Sequence, residues 1–362
     1  MLRLPALVIT LAFLPCVGLA QPKAPVKAPS KLPDTVVKAW ESAGASVTWV
    51  KAGPFGRQDT GNDPTPGALQ EFLFYKQLPK GGWAKLPVPK TPFAVKIFEA
   101  KVTAADLKEL AKFPTLAALD LSKTETGDDD LAPISGLKQL AALTLWGSKV
   151  TDAGLSQLSG LPRLTALNLS GTKITDAGLK TLAGLKTLTL LDLNGTDITE
   201  AGLQHLAGHP QLATLVLSNP DVTDAGLKHL AGLKKLTSLD VNFGKITDAG
   251  LKTLAAVKTL QELSLWKTTV TDAGLKELAT LPQLTTLDLS HTKVTDAGLK
   301  ELAPLKNLTE LSLIGADITD AGLKTLAGFK QLTKVYLSSP KVTKEAVKEL
   351  REALPGADIQ KF

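Results

Sequence analysis

Apolar and polar positions along this 362-residue chain repeat with a period of 24. Counting from the threonine of the phrase Thr-Asp-Ala-Gly-Leu as position 1, leucines recur at positions 5, 8, 11, 14, 17 and 19, with isoleucine or valine at 24. The phrase begins at Thr151, Thr175, Thr223, Thr247, Thr271, Thr295 and Thr319, with Thr-Glu-Ala-Gly-Leu at Thr199. Weaker copies carry the register from Thr103 and Gly127 upstream to Thr343 downstream. Positions 5, 8 and 11 share one face of a helix, whereas 17 and 19 alternate as in a strand. Each unit therefore predicts a short helix, a turn, a short strand and a return loop. The strand pairs run from Val95/Ile97 to Val335/Leu337, which makes eleven parallel strands, one per unit.

Within a unit, the threonine at position 1 suits a helix N-cap and the aspartate at position 2 suits the positive end of the helix. Glycine at position 4 is costly in a helix, so it predicts a close backbone approach between stacked units. Asp106, Asp130 and Ala346 stand at that position in the outer copies.

A repeat of this length with Leu-x-x-Leu-x-Leu spacing marks a leucine-rich-repeat solenoid. The segment ITDAGLKTLAGLKTLTLLDLNGT, Ile174 to Thr196, resembles the cysteine-containing leucine-rich repeats of F-box-type proteins. It is more similar still to secreted bacterial leucine-rich-repeat proteins. The resemblance spans about residues 93 to 362. It implies an α/β horseshoe of about eleven 24-residue repeats, with a parallel concave sheet and helices on the convex side. The ladder cysteine of that repeat class is replaced at position 22 by Thr124, Thr172, Thr196, Thr268 and Thr292, whose hydroxyls can bond the loop backbone without thiol chemistry. With no F-box segment ahead of the repeats, a ubiquitin-ligase adaptor role is not expected. In such families the repeats imply recognition of other proteins.

Outside the repeats the pattern changes. Residues 1–20 read as a signal peptide, with Arg3 before a short apolar run and Gly18-Leu19-Ala20 offering a cut after Ala20. A lipid anchor on Cys16 is disfavoured, because Pro15 fits a lipobox poorly. Residues 21–33 form a Pro/Lys-rich tether. Residues 34–92 read as an N-terminal capping region, in which Asp34 caps a helix carrying Val36, Val37 and Trp40, Ser46 to Val50 alternates as a strand, and 52–68 is loop. Repeats follow over 93–342, and 343–362 closes the stack as a C-terminal half-repeat.

Cys16 is the one cysteine, and it lies in the leader, so the mature chain has no disulfide, thiol nucleophile or cysteine metal ligand. The expected location is secreted or periplasmic, without a membrane span. Lysines outnumber acids, in a total of 41 basic against 35 acidic residues, and they gather at positions 6 and 12 on the convex side. That pattern suits a solvated face. Only Arg57, Arg163 and Arg351 remain after cleavage, so the bidentate groups favoured for phosphate are scarce and nucleic acid is not an expected partner. His205, His209 and His229 do not amount to a metal site, since His209 replaces a core leucine and no carboxylate or cysteine completes the set. No cofactor and no catalytic constellation is expected.

Attention therefore falls on the outward columns of the sheet, at positions 16, 18 and 20. They hold six acids, Asp120, Asp192, Asp240, Glu262, Asp288 and Glu310, against Lys96 and Lys334. Trp146 and Trp266 occupy one column five units apart, a separation of about 24 Å at the parallel-strand spacing. Asn168, Asn194, Asn242 and Tyr336 complete the candidate set. The expected function is a non-enzymatic scaffold that recognises a protein partner bearing a basic patch. The alternative is a glycan-binding module of the cell envelope.

Overall fold

The computed structural model describes residues 31–51 and 68–362. The leader with Cys16, the tether up to residue 30 and the 52–67 loop lie outside the described residues. Among the described residues one fourteen-stranded sheet forms, with its strands in chain order. The eleven expected repeat strands are all present, from Phe93–Phe98 to Lys334–Ser338, each parallel to the next with position 17 opposite position 17. Their leucines, such as Leu167, Leu191, Leu215 and Leu263, are buried in one continuous apolar core.

Both ends extend the sheet. Strand β1 (Ser46–Lys51) runs antiparallel to β2 (Ala68–Tyr75), and β2 runs parallel to β3 (Phe93–Phe98). Helix α1 (Asp34–Ser42) buries Trp40, which stacks on Phe72 at 4.2 Å and meets Phe93 and Phe113 edge-on at 5.6 Å. This aromatic knot lies against the apolar end of the first repeat. Pro33, not Asp34, stands at the N-cap; Asp34 is the first helical residue and ion-pairs with Lys31 at 3.0 Å. At the other end the tail does more than expected of a half-repeat. It supplies a ten-residue helix, Lys344–Ala353, and a strand, Asp358–Lys361, parallel to the strand before it.

The helical segments are not uniform. Units with threonine at position 7 hold α-helices such as Asp176–Leu182, in which the Thr181 hydroxyl donates to the Ala177 carbonyl four residues back. Gly154–Gly160 is instead a 3-10 helix, and there Ser156 and Ser159 donate to carbonyls three residues back. Side-chain bonds of that reach reinforce the tighter turn. Asp128–Gly136, which contains Pro133, is also 3-10.

The contact between units has a chemical cause that differs from the expected backbone approach. Each position-2 aspartate reaches forward to the position-1 threonine of the next unit. Asp176 accepts from the Thr199 N–H at 2.9 Å and from its hydroxyl at 2.7 Å, and the same pair recurs from Asp128–Thr151 to Asp320–Thr343. Glycine at position 4 leaves room for that carboxylate: a Cβ at Gly202 or Gly250 would overlap Asp176 or Asp224. Where position 4 is aspartate the clamp turns inward. Asp106 closes a capping box on Thr103 and accepts from the Trp83 indole at 3.2 Å, tying the first helix to the segment before it.

His209 is fully buried, and its Nδ1–H donates to the Leu185 carbonyl at 3.1 Å. Its Nε2 meets no hydrogen-bond partner. Burial lowers its pKa from the ordinary value of 6.5, so the fold holds the ring neutral. His209→Leu restores the residue found at this position in other units, and we expect it to raise stability by about 1 kcal/mol at neutral pH. The gain should widen as pH falls below 6.5, where the unfolded histidine takes up a proton that the folded one refuses. Denaturant midpoints at pH 5 and pH 8 test this; a variant less stable at both would contradict it.

Candidate functional site

The outward columns fall where alternation places them, but they are more covered than a bare count of charges suggests. Parallel strands stand about 4.8 Å apart, so neighbouring side chains in a column shield one another. Asp192, Asp288 and Glu310 retain 8%, 3% and 6% of their exposure. Asp120, Asn168, Asp240, Asn242, Glu262, Trp266 and Tyr336 are half-buried, while Trp146 and Asn194 are exposed.

Most of these polar groups also hold the sheet together. Position-18 side chains reach two residues on and accept the position-20 N–H: Asp120 from Ser122, Asn168 from Ser170, Asp192 from Asn194, Asp240 from Asn242, and Asp288 from Ser290, at 2.8–3.0 Å. Lateral bonds join the units. Asn168 donates to Asp192 at 3.0 Å, Ser218 to Asp240 at 2.6 Å, and Ser238 to Glu262 at 2.9 Å. Both lysines of the face are spoken for at its two ends, Lys96 by Asp120 at 3.1 Å and Lys334 by Glu310 at 3.0 Å. Between them the middle of the face keeps Asp192, Asp240, Glu262 and Asp288. Burial raises the pKa of Glu262, offset in part by the Ser238 hydroxyl, and burial likewise raises Asp288 against its serine hydrogen bonds. Tyr336 is raised by the same desolvation.

The two tryptophans do not stand alone. Trp146, 39% exposed, lies 6.3 Å from Phe98, which stacks on Tyr75 at 6.0 Å. Trp266 meets Phe243 edge-on at 4.6 Å and His291 at 6.1 Å. In each group a lysine ammonium lies 4.8 Å from the tryptophan ring centre, Lys123 over Trp146 and Lys267 over Trp266.

Phe243, Lys267 and His291 were not in the sequence-derived set. They occupy position 21, just beyond the outward columns, where glycine is common: Gly147, Gly171, Gly195 and Gly315. A departure from glycine at that position was the available signal.

On the helical side, several position-12 lysines have a structural task. Lys138, Lys258 and Lys330 donate to the Gly160, Thr280 and Ala353 carbonyls of the next unit at 3.0–3.1 Å, where the helix dipole favours a cation. At position 22, Thr124, Thr172, Thr196, Thr268 and Thr292 each donate to the position-19 carbonyl. Among the described residues no group of three or more His, Cys, Asp or Glu side chains converges as metal ligands, and no helix is long and apolar enough to cross a membrane.

These repeats match known proteins at the level of the family. The profile described as leucine-rich repeat region matches residues 100–355. Comparison with curated proteins finds no match. Similar solved structures include an internalin of Listeria monocytogenes, 19% identical with a TM-score of 0.48, covering 74% of this chain and 86% of that one. Internalin C2 of the same species is 32% identical with a TM-score of 0.44, covering 65% of this chain and 84% of that one. A leucine-rich-repeat protein of Leptospira interrogans is 20% identical with a TM-score of 0.49, covering 74% and 76%. With its profile matched over well more than half its length, and with the strand–loop–helix unit repeated in register along one sheet, the chain belongs to the leucine-rich repeat family.

Proposed function

We propose that this chain is a secreted or periplasmic, non-enzymatic scaffold that binds a protein partner through the outward face of its sheet. The partner presents a basic patch to the central acids. One observation carries the reading: between Asp120 and Lys334 the outward columns hold Asp192, Asp240, Glu262, Asp288 and Glu310 and no lysine or arginine, with Trp146 toward one end and Trp266 among the acids. A one-sign strip with exposed Trp146 toward one end and half-buried Trp266 among the acids supports steering by charge and anchoring by the two tryptophans. The hydrogen bonds that engage the acids fix their positions and leave their charge in place.

The raised pKa values of Glu262 and Asp288 add a pH signature. A cationic partner favours their ionised forms. Affinity is therefore expected to keep rising with pH beyond the range in which ordinary carboxylates ionise, and to be weakest in acid.

The test is capture from envelope and extracellular extract by the native protein, beside an Asp240→Asn/Glu262→Gln variant and a Trp146→Ala/Trp266→Ala variant. We expect a protein retained at low salt, released by about 0.5 M salt, and retained poorly by both variants. Retention indifferent to salt and to both variants would overturn the reading. Retention from extract whose proteins have been digested would move the ligand to a glycan.

A further inference from the structure

Phe243, Lys267 and His291 at position 21 carry a cost that the chain avoids with glycine in four units and bears elsewhere at Glu99 and Lys123. At Gly147, Gly171, Gly195 and Gly315 the backbone is left-handed, with φ between 62° and 69°. Phe243, Lys267 and His291 adopt the same conformation in three successive units, at φ of 61°, 55° and 56°. Left-handed backbone is easy for glycine and strained for residues with a Cβ, above all for a bulky ring. The conformation is imposed because the position-21 N–H continues the sheet ladder. Phe243 donates to the Trp266 carbonyl at 2.9 Å, Lys267 to that of Ser290 at 3.0 Å, and His291 to that of Ile314 at 2.7 Å. Glycine would serve that ladder without strain, so the fold does not require these three side chains.

Nor are they loose. Phe243 is 42% exposed and stands edge-on to Trp266, with ring planes at 70°. The Lys267 ammonium sits 5.3 Å from the Phe243 ring centre and 4.8 Å from that of Trp266. The His291 imidazole packs over Gly315, where a Cβ would collide with it. Lys267 joins none of the ion pairs among the described residues.

We propose that Phe243, Trp266, Lys267 and His291 form a docking ridge at the margin of the sheet for a protein segment in which a carboxylate adjoins an apolar side chain. The apolar group packs on the exposed Phe243 ring, and the carboxylate takes the Lys267 ammonium. Charge complementarity selects the occupant, because the ridge is apolar and cationic while the neighbouring face is acidic. The ridge also favours a peptide over a sugar. A saccharide stacks on an open flat ring, and here Lys267 already lies over the Trp266 indole. Lys123 over Trp146, also left-handed at φ 53°, forms a second lysine–tryptophan contact on the sheet margin, made there from the unit before that of Trp146. The inference deepens the proposed function and rests on the same reading of a protein-binding sheet, to which it adds a contact of opposite sign that fixes the partner's register.

The experiment is selection of displayed random peptides on the immobilised native chain, followed by binding of the selected peptides to a Phe243→Gly/Lys267→Gly variant and to Asp240→Asn/Glu262→Gln. Glycine suits the left-handed backbone, so the ridge variant should keep or raise its Tm, and lost binding will not report unfolding. We expect peptides with Asp or Glu beside Phe, Leu or Met, binding at least tenfold more weakly to the ridge variant. Failure to enrich such peptides, or equal binding by native and ridge variant, overturns the ridge. Peptides that ignore the ridge variant but lose affinity for the Asp240/Glu262 variant reject the ridge and leave the face reading standing. Ridge-dependent peptides indifferent to Asp240 and Glu262 support the ridge on its own. Retention of acidic glycans in place of peptides would reassign the ridge and overturn the peptide proposal.

Discussion

Gly202→Ala is expected to destabilise the solenoid by about 2–3 kcal/mol, although alanine is ordinarily the better helix former by ~1 kcal/mol. Gly202 lies in the helix Glu200–Leu203, and a Cβ there would overlap Asp176 Oδ1 and stand 2.8 Å from its Cγ and 3.2 Å from its Cα. All three nearest atoms belong to one residue of the preceding unit. To make room, Asp176 must give up its two bonds to Thr199, at 2.9 and 2.7 Å. The clash and the clamp are therefore one interaction seen from two sides, and a double-mutant cycle separates them. Asp176→Ala alone should cost about 1–2 kcal/mol for two partly exposed charge-assisted bonds. The double variant should cost clearly less than the sum, because the added methyl no longer meets a carboxylate. Strict additivity in denaturant midpoints would sink this account of the glycine.

The contrast between what the chain announces and what it conceals follows from distance along the sequence. Leucine spacing within 24 residues specifies a helix and a strand, and both form where the periods place them. The Thr175 and Thr247 caps are equally local, since the hydroxyl accepts from an N–H two residues away. The Asp–Thr clamp joins residues 23 apart, and nothing in the composition of one unit shows that its carboxylate will occupy its neighbour's glycine. The candidate face illustrates a second limit. Alternation tells which way Asp288 points, but not that the serines around it leave 3% of it exposed. The left-handed ridge was legible in principle, as a column where Phe243, Lys267 and His291 replace glycine. It becomes informative only once φ shows that all of these residues share one backbone.

Glu71 is expected to make the folded chain less stable as pH rises from 4.5 to about 7, by about 3 kcal/mol in all. It lies on β2 opposite Ala94, extending the outward columns into the N-terminal segment, and keeps 3% of its exposure. Burial pushes its carboxyl from 4.5 up to about 7; Lys96 works against the shift, Asp120 adds to it, and the Thr48 hydroxyl at 3.2 Å opposes it. Lys96, the largest opposing influence, is shared with Asp120 at 3.1 Å, so burial still prevails. The folded pKa is above the unfolded one, so the folded state binds its proton more tightly. The associated stability is complete below 4.5 and is lost as pH climbs through 7. Glu71→Gln retains the shape and the donor–acceptor capacity without the charge. It should flatten the slope over that interval and leave the variant more stable than the native chain at pH 8 by up to about 3 kcal/mol. His209 contributes a slope of opposite sign near 6.5, so both measurements belong in a His209→Leu background. In that background, a native stability that is flat from pH 5 to 7, or a Glu71→Gln variant with an unchanged slope, would show that the carboxyl is ionised where it stands. Its burial beside the Lys96–Asp120 pair would then already be compensated by those charges.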